Sequence, residues 1–414
     1  MKKYISTIPK LPGTLLLLIL ILSGAFFHAC KKDSGTGGGI PVVKYIRITD
    51  PLKSDSLVSH AFMGKTVAIM GENLQNVMEI WFNDQSAILN TSFMTGTTII
   101  VAIPNVIPET VTNELKLVMK DKSVVKYPFG VDVPSPLVES LLCEYVKDGG
   151  TAVIEGNFFI DDPGTPLKVI FPGNVEGQIL GVKLNEIKVK VPSGVGPGPI
   201  VVKSIYGSSR STFYFRDDRN VYLNFDEFTS GGSWRSGTTL SDANSLDRKY
   251  LMLKGTVADG VGAEDYAGGG FVCELWGDAN GRPQKNFFTG SPADYLLKFE
   301  ANVVEWSGAY LNICWGPWAS SVGPYQNQLY WGDVNARGLW RPWESNGGSF
   351  KTDGWITVTI PMSDMKYDKN FAAKDFDPSK SGSMSLWMKG PAAKTGGNCK
   401  MEVYFDNFRI VPKK

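Results

Sequence analysis

Between Trp306 and Trp343, a stretch of 38 residues, the chain places six tryptophans (Trp306, Trp315, Trp318, Trp331, Trp340 and Trp343) and three tyrosines (Tyr310, Tyr325 and Tyr330). Most stand among Gly, Pro, Asn, Asp and Arg, so they punctuate turns and do not follow the period of a strand or helix core. Aromatic rings carried on loops make a face for contact. Indole planes suit the apolar C–H faces of sugar rings, and Asn, Gln, Asp and Arg suit their hydroxyl rims, so the implied chemistry is stacking on a neutral polysaccharide. Trp331, preceded by Tyr330, and the pair Trp340 and Trp343 around Arg341 and Pro342 form the expected platform, with Trp318 after Gly316 and Pro317 beside it. Gln328, Asn327, Arg337 and Arg341 are the expected donors that orient the ligand. Trp315 shares a strand face with Leu311 and Ile313 and reads as core. Trp355 and Trp387 lie opposite the aliphatic faces of their strands, either exposed or under a second layer.

Other chemistries are restricted by what is missing. The only histidines are His28 and His60, both in the N-terminal part, so neither a Ser-His-Asp triad nor a zinc-histidine cluster can be assembled in the C-terminal half. Forty-two basic residues against 41 acidic ones give no basic excess for phosphate neutralisation, which excludes nucleic acid as a partner. A glycoside hydrolase working with two carboxylates is the enzymatic alternative, with Glu300, Glu305, Asp333 and Glu344 as candidates, but nothing pairs them uniquely. A surface adhesin for a protein or host glycan is a third reading.

The aromatics need a scaffold. From about Asn220 to the end, segments such as FVCELWG, YLLKFEANVV, YLNICWG, WITVTIPM and SMSLWMKG alternate like strands between turn residues. A β-sandwich of jelly-roll type over 217–414 is expected, with the first and last strands, around NFDEF and YFDNFRI, paired at one edge. Only Ser363 to Phe371 offers a short helical period. Asp226, Glu227 and Asp406 near the paired strands suit a structural calcium ion; solvated edge charges that discourage strand addition explain them equally well. No other cofactor is implied. Cys143, Cys273, Cys314 and Cys399 resemble no disulfide framework and read as small buried hydrophobes.

Residues 42–134 and 135–216 echo each other. GKTVAIMGENL and TIIVAIPN in the first match GGTAVIEGNFF and IKVKVPSG in the second, with Gly71 and Asn73 answered by Gly156 and Asn157, and Pro104 by Pro192. Each copy is a set of short alternating runs, the pattern of a small β-sandwich. The V-x-I-x-G-x-N stretch and the later proline-ended strand resemble the IPT/TIG immunoglobulin-like family. Neither copy carries a catalytic cluster, and the lone Trp81 reads as core or half-buried, so both are expected to be spacers joined stiffly through Val133-Pro134-Ser135-Pro136.

The chain begins with Lys2 and Lys3, an apolar run from Leu15 to Leu22 and then SGAFFHAC, a secretory signal over 1–29. Ala29-Cys30 followed by Lys31-Lys32-Asp33 resembles the lipoprotein processing site of Bacteroidota, which implies lipidation at Cys30 and a flexible tether over 30–41. The whole arrangement resembles the cell-surface glycan-binding proteins of polysaccharide-utilisation loci in that phylum, with a C-terminal domain of the xyloglucan-binding type. That resemblance implies a non-catalytic protein, lipid-anchored in the outer membrane and facing outward. It would capture β-glucan, best xyloglucan, beside a TonB-dependent transporter and its SusD-like partner.

Overall fold

The computed structural model describes residues 39–413, apart from Ser54 and 230–234, 258–268, 271, 276–284, 319–327 and 391–398. The signal segment, Cys30 and most of the tether lie outside the described residues, as do Tyr325 and Asn327. The fold is all-β and falls into two compact units, one ending at Val133 and the other beginning at Pro134.

The first unit holds β1 (Val42–Ile48), β2 (His60–Phe62), β3 (Thr66–Glu72), β4 (Val77–Phe82), β5 (Gln85–Ala87), β6 (Thr98–Ala102), β7 (Glu114–Met119), β8 (Val124–Pro128) and β9 (Gly130–Asp132). Antiparallel sheets β1-β3-β6 and β5-β4-β7-β8 share one apolar core, and β2 pairs in parallel with β9. Trp81 is half-buried, and its indole N–H donates to Glu79 Oε2 at 3.0 Å.

The second unit opens with another immunoglobulin-like sandwich: β10 (Leu137–Leu141), β11 (Thr151–Asn157), β12 (Lys168–Phe171), β13 (Val175–Glu176), β14 (Gln178–Lys183), β15 (Glu186–Lys190), β16 (Val201–Ser204) and β17 (Gly207–Arg210). Its sheets are β10-β11-β15-β14 and β13-β12-β16-β17. The glycine that recurs in the two copies has a steric origin. A Cβ on Gly71 would stand 1.9 Å from the Val42 carbonyl oxygen, and one on Gly156 would stand 1.9 Å from that of Leu137. In both copies the first strand bulges at this point, so its backbone fills the space a side chain would need. Two residues later the chain turns left-handed, at Asn73 (φ 57°) and at Phe158 (φ 57°). The structural counterpart of Asn73 is therefore Phe158, and Asn157 instead accepts the Phe158 N–H on its side chain at 2.8 Å.

The remainder of the second unit is the larger sandwich. It contains β18 (Val221–Leu223), β19 (Thr238–Leu240), β20 (Tyr250–Val257), β21 (Gly269–Gly270), β22 (Val272–Leu275), β23 (Tyr295–Trp306), β24 (Tyr310–Gly316), the one-turn helix α1 (Gln328–Trp331), β25 (Gly338–Trp340), β26 (Ile356–Pro361), β27 (Ser383–Lys389) and β28 (Cys399–Pro412). One sheet runs β19-β20-β28-β23-β26, with β18 also on β28 and β21 on β20; the other runs β22-β27-β24-β25. The four expected buried cysteines are buried and free. The end strands do pair, Val221 facing Arg409 and Leu223 facing Phe408, but through VYL. NFDEF forms the turn that follows, where Asn224 Oδ1 accepts the N–H groups of Asp226, Glu227 and Phe228. The helical expectation at Ser363 to Phe371 is corrected: a single 3-10 turn at Met362–Asp364 gives way to left-handed backbone at Phe371 (φ 65°).

The two sandwiches of this unit are joined by buried charge. Thr357 N on β26 donates to the Leu142 carbonyl at 2.8 Å, and Thr357 Oγ1 accepts from Glu144 N at 2.7 Å. Glu144 reaches across to Lys298 on β23 and to Arg409 Nη2 on β28, the latter at 2.6 Å. Arg409 also binds Glu300 at 2.8 and 3.0 Å, and Thr357 donates its hydroxyl proton to Glu300 at 2.9 Å. All four charged side chains are buried. Burial raises the Glu300 carboxyl above its ordinary range while Arg409 pulls it down. Replacing Glu144 by Ala would leave two buried cations facing one carboxylate, a change that costs about 3–5 kcal/mol. We expect Glu144→Ala to lower the thermal midpoint read by tryptophan fluorescence and Glu144→Gln to lower it less; equal midpoints for wild type and Glu144→Ala would refute this account.

Candidate functional site

Strand pairing sets what the outer face of the four-stranded sheet carries. Tyr310 stands opposite Lys389, Asn312 opposite Trp387, Cys314 opposite Ser385 and Gly316 opposite Ser383. The inner face takes Leu311, Ile313 and Trp315 with Met388, Leu386 and Met384, and these enter the main core. The outer face would be open if nothing crossed it. Instead, α1 and the segment after it form a second layer, and Trp387 is buried beneath Tyr330, the rings stacked at 5.1 Å and 22°.

That layer is the seat of Trp331. The rings of Tyr330 and Trp331 meet edge to face at 4.8 Å and 90°. The Lys389 ammonium lies 4.8 Å from the Tyr330 ring centre, 4.7 Å from that of Trp331 and 5.2 Å from that of Trp387. Burial lowers the Lys389 pKa to about 8, and the three π faces oppose that loss. Arg337, 1% exposed, donates to the Tyr330 carbonyl at 2.6 Å and lies 4.8 Å over its ring. Trp331 itself remains 51% exposed. Trp318, two residues beyond the Gly316 end of β24, is 36% exposed, and Gly382 makes room for it: a Cβ there would stand 2.7 Å from that of Trp318.

The expected platform is thus divided. Trp318 and Trp331 are presented. Tyr330 is buried and supports its neighbour, and Arg337 is a brace inside the layer with no surface for a ligand. Trp340 is half-buried and turned toward the core: it pairs with Leu311 on the inner face and packs edge-on against Trp306 (4.9 Å) and Phe299 (5.3 Å). Trp343 is half-buried, its N–H donating to the Ala309 carbonyl at 2.7 Å and its ring stacked on Tyr310. Arg341 pairs with Glu344 at 3.0 Å and lies over the same tyrosine, so its guanidinium is already engaged. Gln328 opens α1, and its side chain lies outside the described residues. Lys389 is the support that the platform expectation lacked, although the alternation of SMSLWMKG places it on the face of Trp387.

The carboxylate candidates do not face one another across a cleft. Glu300 is locked to Arg409, Asp333 pairs with Lys374 at 3.1 Å, Glu344 pairs with Arg341, and Glu305 stands exposed on β23. Of the residues expected to suit calcium, Glu227 is exposed and lies 3.6 Å from Arg248, which also pairs with Asp226 at 3.2 Å. Among the described residues, no group of three His, Cys, Asp or Glu side chains is arranged to hold a metal ion.

Residues 215–412 match the family described as surface glycan-binding protein B xyloglucan binding domain. Across the chain the fold is similar to the crystal structure of the surface glycan-binding protein PbSGBP-B of Prevotella bryantii. The two share 26% identity and a TM-score of 0.73 over 91% of this chain and 99% of that one. An IPT/TIG domain-containing protein of Bacteroides ovatus is 33% identical over 159 residues, 37% of this chain. The match spans about a third of that relative's length, 32%.

Asp406 gives a pH test of the paired end strands. Burial, with Asp247, Glu300 and Asp226 nearby, raises its pKa to about 10, so the folded chain holds a proton that the unfolded chain has released above about pH 4. Stability therefore falls as pH rises through that window, by at most about 1.4 kcal/mol per pH unit. In chelator, the thermal midpoint should be lower at pH 8.5 than at pH 5.5, and Asp406→Asn should flatten the difference. A midpoint raised by calcium in wild type but not in the variant would reverse this reading and make the position a cation ligand.

Proposed function

We propose that this chain, whose residues 215–412 match the family described as surface glycan-binding protein B xyloglucan binding domain, is a non-catalytic binder that captures a neutral β-glucan at the cell surface, xyloglucan fitting best. The observation that carries the proposal is the seat of Trp331. Its ring is exposed, its plane is set by Tyr330 and Lys389, and a second exposed indole, Trp318, follows the end of β24 on which α1 packs. A sugar chain offers apolar ring faces at intervals, and preset indoles meet them without first losing rotamer freedom. Residues 1–41 support a lipid anchor at Cys30 in the outer membrane, which would hold the binder beside a TonB-dependent transporter and a SusD-like protein.

Affinity electrophoresis of the chain from Lys31 onward, in gels cast with xyloglucan, mixed-linkage glucan, galactomannan or xylan, tests the reading. Retardation is expected in the β-glucan gels and strongest with xyloglucan. Trp331→Ala should weaken it by about 2 kcal/mol, roughly thirtyfold in Kd, Trp318→Ala should weaken it less, and Trp340→Ala should act only through stability. Migration unchanged by every polymer, or sustained release of reducing ends, would overturn the proposal.

A further inference from the structure

Beside the charged junction of the second unit, the two sandwiches leave a cleft of about 680 Å³, a size typical of ligand sites. Tyr145, Lys147, Thr151 and Lys188 line it from the immunoglobulin-like side; Asn302 and Trp355 line it from the other. The Trp355 indole is fixed. Its N–H donates to the Asn244 carbonyl at 2.7 Å, and its ring meets Tyr250 edge-on at 5.8 Å and 81°. With the N–H engaged, what the ring offers the cleft is hydrocarbon. The rim carries charges of both signs, Lys147 and Lys188 with Glu186 and Asp353, and amide and hydroxyl groups between them. Balanced charge suits neither an anion nor a cation, whereas an indole ringed by donors and acceptors suits a neutral polyol.

We infer that this interdomain cleft is a second carbohydrate subsite, in which Trp355 stacks on a sugar ring of a neutral glucan and the second immunoglobulin-like domain supplies the opposite wall. The inference rests on the reading of the chain as a glucan binder. It gives that domain a part in recognition beyond spacing. The walls are already held apart at a set distance, because Glu144, next to Tyr145, is tied to Lys298 and Arg409. Binding there needs no domain closure.

Titration calorimetry of the chain from Lys31 onward with xyloglucan oligosaccharides tests it. Two oligosaccharides per chain are expected for wild type, and one for Trp355→Ala, with the second site weakened at least tenfold. Thr151→Arg, which fills the cleft from the opposite wall and leaves Trp355 in place, should also give one. Trp331→Ala should retain the cleft site alone. A stoichiometry of one in wild type that Trp331→Ala abolishes, or of two that survives both cleft variants, would overturn the inference and leave the glucan-binding reading standing. No heat from wild type would sink both.

Discussion

The architecture of the second unit depends on one buried charge network. Glu144, Lys298, Glu300 and Arg409 are two acids and two bases removed from water together, and each is held by at least one of the others. Such a group adds little net stability over an apolar equivalent, since desolvation consumes most of the Coulombic gain. Its effect is on geometry. A charge this deep tolerates only the arrangement that satisfies it, so the immunoglobulin-like domain is confined to one docking pose on the β23-β28 sheet. Arg409 stands on the last strand directly opposite Val221 of the first, so the same side chain also reports that the sandwich is closed.

A comparable logic operates on the outer face of the smaller sheet. Its residues are polar and aromatic, and left alone they would be wet. The α1 layer covers them, and the cover must satisfy a lysine and an arginine in a confined space. It does so with π faces and a backbone carbonyl, which fixes the planes of Tyr330 and Trp331. Burying Lys389 and Arg337 is unfavourable in isolation. What it produces is an exposed indole whose orientation is decided before any ligand arrives.

Much of this was legible in the residues. Alternation located the strands, the repeat located two immunoglobulin-like copies, and the near-absence of histidine together with the wealth of tryptophan pointed toward stacking chemistry. The selection among tryptophans was not legible. Trp340 and Trp343 lie three positions apart in the same turn-rich text, and both end half-buried, Trp340 because β25 pairs with Leu311 and Trp343 because it stacks on Tyr310; no local pattern announces that register. Arg337 read as a donor to ligand because its partners, the Tyr330 carbonyl and the aromatic layer, exist only once α1 folds back on the sheet. Glu300 looked like an ordinary strand acid, since its partner Arg409 lies 109 positions away, and Glu144, which shares that arginine, lies 265 positions from it in the other sandwich. Asn157 was matched to Asn73 by residue type, whereas the backbone equates Asn73 with Phe158, because the left-handed turn and not the amide is what the fold requires there.

Rigidity between the two sandwiches has a consequence for binding a polymer. Each stacking site on a neutral chain is shallow, with one or two aromatic planes and a few exchangeable hydrogen bonds, so a single site is weak. Two such sites on one body act at an effective concentration set by their separation, and a fixed separation concentrates that effect on chains able to bridge it. Trp331 and Trp355 both stand on the larger sandwich, so their separation is set by that sandwich alone. What the charge network fixes is the opposite wall of the cleft, which a hinge would let swing away from Trp355; a feature with little claim on stability thereby acts on recognition, by keeping the second surface a cleft and not an open face.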